Sequence, residues 1–118
     1  MSQVPAYLTN RTAEFSARTL LRKLGYRVIR VTEPHSEEMI PFQLIAWKDH
    51  ESLLFIRVRS PRRDNTVREE LCSFSALAIS GVYPGEIQYW VREQADWRRF
   101  RIFAGGSVIL PGAKNEIR

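Results

Sequence analysis

One cysteine, Cys72, and two separated histidines, His35 and His50, are all that the chain offers of the usual soft metal ligands. A lone cysteine forms no disulfide within the chain, and no Cys/His cluster has zinc spacing, so a disulfide scaffold and a zinc module are both excluded. No apolar run approaches the roughly 20 residues of a membrane span, and Met1 to Tyr7 lacks the charged start and apolar stretch of a secretion signal. These absences predict a cytoplasmic protein with no membrane partner. No internal repeat, linker or low-complexity segment breaks the 118 residues. One domain is expected over 1–118, with its core over about 10–110 and loose ends at 1–8 and 112–118.

What is present is ordinary apolar content, 44%, with 26% charged residues and a net charge of +5. The positive charge is carried mainly by arginine and is clustered. Arg57, Arg59, Arg62 and Arg63 fall within seven residues, and Arg98, Arg99 and Arg101 form a second group with Arg92 nearby. A guanidinium fork suits phosphate oxygens. For any single arginine a solvated strand face is the plainer reading. Two clusters on one small domain point to a polyanionic partner.

The pattern of elements is readable. Asn10 is placed to cap a helix from Arg11 to Leu24, whose Ala13, Ala17, Leu20, Leu21 and Leu24 form one apolar stripe. Gly25 stops it, and Tyr26 can pack back on its last turn. Strands are expected at Tyr26–Val31, Phe42–Trp47 and Leu53–Arg59, the second being apolar enough to be buried. The last two should form a hairpin across Lys48–Ser52. Along Leu53–Arg59 the side chains alternate, with Leu54, Ile56 and Val58 on one face and Leu53, Phe55, Arg57 and Arg59 on the other. Thr66 and Glu69 spell a capping box, which predicts a second helix with Val67, Leu71, Phe74 and Ala78 inward and Gly81 at its end. Two more strands, Glu86–Arg92 and Arg98–Phe103, follow, joined by Glu93–Trp97, and Val108–Leu110 is a candidate edge strand. Three strands in a meander, a crossover helix and a fourth strand parallel to a neighbour make a mixed sheet.

This order, with Thr12-Ala13-Glu14 on the first helix, Pro41-Phe42-Gln43-Leu44-Ile45-Ala46 on the second strand and Leu54-Phe55-Ile56-Arg57-Val58-Arg59 on the third, resembles the PD-(D/E)xK nuclease superfamily. That group includes type II restriction enzymes and archaeal Holliday-junction resolvases. The resemblance spans roughly Asn10 to Phe103. It implies an α/β (α+β) restriction-endonuclease-like fold, a central mixed sheet of about five strands flanked by two helices in the order αβββαββ. In active members the second strand is often written P-x-D-L-I-A and the third ends in E-V-K or Q-V-K. Glu14 matches the first-helix acid. Gln43 stands where the metal-binding Asp belongs, Arg57 where Glu or Gln belongs, and Arg59 where Lys belongs.

These replacements reverse the charge of the implied site. Active members with Asp, Glu and Lys at the last three positions have three acids and one base. Glu14, Gln43, Arg57 and Arg59 have one acid and two bases. A positive charge about 5 Å from a divalent ion costs roughly 7 kcal/mol at an effective dielectric near 20, and Mg²⁺ prefers hard oxygen ligands. The resemblance therefore implies a vestigial site, no cofactor, and a nucleic-acid-binding pseudoenzyme whose cleft is lined by Arg57, Arg59, Arg62, Arg63, Arg99 and Arg101. Alternatives stay open. Glu33, Glu37, Glu38, Asp49 or Glu51 could migrate in, bind Mg²⁺ and restore a metal-dependent DNA or RNA endonuclease. The domain could instead be a structural or regulatory partner of an active relative, or a homodimer, with the hairpin Ile87–Phe103 as its contact surface. Arg57 could pair with Glu14 across the old site. Trp47, Tyr89, Trp90 and Trp97 are candidates for base stacking or for packing, with Trp97 the most exposed. Cys72 is expected in the core, and the histidines carry no assigned role.

Overall fold

A computed structural model describes residues 9–31, 41–94 and 96–111. Its elements are α1 (Asn10–Lys23), β1 (Arg27–Arg30), β2 (Leu44–Trp47), β3 (Leu54–Arg59), α2 (Asp64–Ser80), β4 (Glu86–Glu93), β5 (Asp96–Phe103) and β6 (Gly106–Ile109). They build one six-stranded sheet in the order β1-β2-β3-β4-β5-β6. The candidate edge strand is thus a sixth member, starting two residues earlier than expected. All neighbours are antiparallel except β3 and β4, which run parallel because α2 crosses between them.

The two sheet faces carry separate cores. Ala13, Ala17 and Leu21 of α1 pack on Leu44, Ala46, Leu54, Ile56, Val58, Trp90 and Trp97. Val67 and Phe74 of α2 pack on the other face with Phe42, Phe55, Ile87, Tyr89, Val91 and Ile102. The alternation expected along β3 is what divides Leu54, Ile56 and Val58 from Phe55. β2 alternates as well: Leu44 and Ala46 are buried, while Ile45 and Trp47 are only partly so, because α2 lies toward β4–β6.

Several local expectations are corrected. Thr9, not Asn10, caps α1, accepting from the Thr12 N–H. Asn10 Oδ1 instead accepts from Ser60 N–H at 2.8 Å, which ties the start of α1 to the end of β3. α2 begins at Asp64 behind Arg63, so Thr66 lies inside its first turn and the capping box is not used. Gly81 ends α2 with φ +67, as expected. Gln94, φ +53, lets β4 turn into β5 directly after Glu93, so Trp97 lies within β5. Trp97 is buried against Trp90, ring centroids 5.4 Å apart. Cys72 is exposed, off the inward stripe of α2. The hairpin proposed as a contact surface keeps Ile87, Tyr89, Val91, Trp97 and Ile102 inside; the exposed apolar side chains at this end are Phe103, Val108 and Ile109.

The entry to β4 is sterically tight. Glu86 N–H donates to Leu53 O at 2.8 Å, and a Cβ on Gly85 would lie 2.4 Å from that same oxygen. Gly85→Ala is expected to destabilise the fold by about 1–3 kcal/mol, since backbone must move. A urea midpoint equal to that of the parent chain would refute this.

Candidate nucleic-acid interface

The end of β1, the start of β2, the end of β3 and the start of α1 meet at one end of the sheet. Glu14, only 9% exposed, is delivered there by the buried stripe of α1. Its carboxylate is bound by Arg30 of β1, not by Arg57. Gln43 sits where the chain bends into β2, and its Oε1 accepts from Val58 N–H at 2.8 Å. Glu14 therefore ties α1 to β1, and Gln43 ties the start of β2 to β3.

Arg57 and Arg59 share a face, as their spacing predicts, but it is the α2 face. Arg57 donates to Pro41 O at 3.2 Å. Arg59 pairs with Glu70 of α2 at 3.3 Å, and Glu70 also accepts from the Tyr89 hydroxyl. Burial, and then the neighbouring Arg59 charge, lower the pKa of Arg57 below its ordinary value. Burial, with the hydrogen bond and charge of Glu70, pushes the Tyr89 phenol well above its usual range. Glu70 is a carboxylate that the motif comparison did not anticipate, and it serves as counter-ion to the arginines.

The six arginines expected to line one cleft are dispersed. Arg62 folds back on Ser60 Oγ at 2.7 Å, and Arg63 is exposed at the start of α2. Arg99 and Arg101 lie on the α1 side of the sheet, opposite Arg57 and Arg59. Arg99 stacks over Trp90, and Arg101 pairs with Glu86 at 3.3 Å. Tyr89, Trp90 and Trp97 are buried and cannot stack on a base.

A different set of residues gathers beside Glu14. A cleft of about 670 Å³ is lined by Asn10, Arg11, Thr12, Glu14, Phe15, Arg18, Arg30 and Gln43. Three guanidiniums face one carboxylate there, beside the N-terminus of α1, where the helix dipole favours anions. Among the described residues neither Arg11 nor Arg18 has an ion-pair partner. Sequence reasoning missed these residues, although Arg11, Phe15 and Arg18 stand at i, i+4 and i+7, one face of a helix.

This donor set does not fit the Mg²⁺ that the fold's active pattern implies. Glu14 is neutralised by Arg30, the Gln43 oxygen is occupied by a backbone N–H, and Arg57 and Arg59 are cations. Among the described residues no three of His, Cys, Asp and Glu group closely enough to hold a metal ion. Asp49 and Glu51 are exposed in the β2–β3 turn, at the opposite end of these strands. Glu33, Glu37, Glu38 and His35 lie outside the described residues.

No protein-family model and no curated protein matches the chain. Among solved structures, Hjc, a Holliday junction resolvase from the archaeal hyperthermophile Archaeoglobus fulgidus, is similar. The two share 18% identity with a TM-score of 0.51, over 91% of this chain and 89% of the other. No described helix is long and apolar enough to cross a membrane. The mixed sheet, its two flanking helices and this likeness together show that the chain has the resolvase-type nuclease fold.

Proposed function

We propose that this domain binds nucleic acid without a metal and does not cleave it, using the cleft of Arg11, Arg18 and Arg30 at the start of α1. The observation that carries this reading is the commitment of Glu14 to Arg30: the acid that matches the nuclease pattern neutralises an arginine. The fold likeness to a resolvase of DNA junctions makes DNA the first ligand to try. Phosphate contacts by arginine need no metal and release counterions, so log affinity should fall linearly with log salt.

The test is binding of labelled DNA across a salt series, with EDTA or with Mg²⁺. A linear salt dependence, no chelator sensitivity and intact DNA are expected. Cleavage that requires Mg²⁺ or Mn²⁺ and disappears in Glu14→Ala would establish an active nuclease instead. Self-association, or pairing with a related chain, is a second reading. It is favoured by the exposed Phe103 at the end of β5 and Val108 and Ile109 on β6, and sedimentation as a strict monomer counts against a homodimer.

A further inference from the structure

Phe15 is a large aromatic ring left 62% exposed on α1. It lies two residues, about 200° of helix rotation, from both Ala13 and Ala17, so the core stripe cannot absorb it. It lines the cleft with Arg11 and Arg18, one turn before and one turn after it. The Arg18 guanidinium carbon lies 5.6 Å from the ring centroid. Arg30 approaches from β1. A flat apolar surface among three guanidiniums matches a ligand that is itself flat and apolar with an attached anion. The volume, about 670 Å³, lies in the range of small-ligand pockets, roughly 300–1,000 Å³.

We infer that the cleft takes an unpaired nucleotide, its base stacked on Phe15 and its phosphates held by the surrounding arginines. This rests on the nucleic-acid-binding reading above and makes it specific. In a duplex the faces of internal bases are covered by their neighbours, so the ring can reach only a base that has left the stack. Single-stranded segments and unstacked positions at branch points are therefore the preferred ligands. Stacking on an aromatic side chain tolerates any base, because every base has a π-face.

The test compares a fluorescein-labelled oligothymidine with a blunt-ended duplex carrying the same label, using the full chain and its Phe15→Ala and Phe15→Trp variants. Phe15→Ala is expected to weaken oligothymidine binding about tenfold while changing duplex binding less than about twofold, and Phe15→Trp is expected to retain the preference. Equal loss on both probes, or loss on neither, overturns the stacking role while leaving arginine-mediated binding intact. A parent chain that binds neither probe overturns both readings. A lowered thermal midpoint in Phe15→Ala shows that the ring is covered within the chain. A changed sedimentation coefficient shows that it packs on a second copy. Either result also overturns the inference.

Discussion

A chain carrying Arg11→Glu and Arg18→Glu together is expected to bind DNA on the order of a hundredfold more weakly near 0.1 M salt, with a salt slope shallower by about 2. The estimate follows from counterion release. Each phosphate contact contributes roughly 0.7 to the slope on a single strand and 0.9 on a duplex, and the reversed charges add repulsion. Folding should survive. Arg11 is exposed near the start of α1, where a carboxylate interacts favourably with the helix dipole. Arg18 gives up its contact with Phe15 and no ion pair found among the described residues. Arg30 is left in place because its removal would strand the buried carboxylate of Glu14. The control is Arg27→Glu with Arg68→Glu, two exposed positions outside the cleft that change the net charge equally. If the control weakens binding as much as the test pair does, the cleft has no special role and bulk charge explains the affinity.

The sequence revealed faces better than partners. Alternation along Leu53–Arg59 correctly grouped Arg57 with Arg59, because side-chain direction in a strand is a local property. It could not say that this face lies under α2 while Glu14 comes from α1 on the opposite face, since that depends on which side each helix packs. The Glu14–Arg30 pair spans 16 positions and exists only because β1 lies beside β2 at the edge that α1 covers. Asn10 and Thr9 are both competent caps, and the claim of the Ser60 N–H on Asn10 decides between them. Trp97 was misplaced for a local reason: the connection before it is shorter than its polar residues suggested. The motif resemblance pointed to Glu14, Gln43, Arg57 and Arg59, yet the arginines that surround Glu14 come from α1 and β1, outside the two strand motifs.

Glu70→Ala is expected to cost about 2 kcal/mol of stability, lowering the thermal midpoint by roughly 5–12 °C for a chain of this size. The carboxylate is the counter-ion of Arg59 and the acceptor for Tyr89. Removing it leaves Arg57, Arg59 and Arg62 on one side of the sheet without that charge, and leaves the Tyr89 hydroxyl without its partner. A fully buried pair broken on one side costs about 3–5 kcal/mol; the figure here is reduced because the Arg59 and Glu70 side chains keep 16% and 26% of their exposure. Glu70→Gln retains an acceptor for Tyr89 and should lose less. Arg57→Met removes a desolvated cation whose burial and neighbour both oppose its charge, so adding it to Glu70→Ala should recover part of the loss. The coupling can be read from a double-mutant cycle of chemical denaturation midpoints. Strict additivity would show that Arg57 and Glu70 do not share one electrostatic cluster. An unchanged midpoint in Glu70→Ala would show that the polar network under α2 contributes nothing to the fold, and Arg57 and Arg59 would then be free to serve an anion after all.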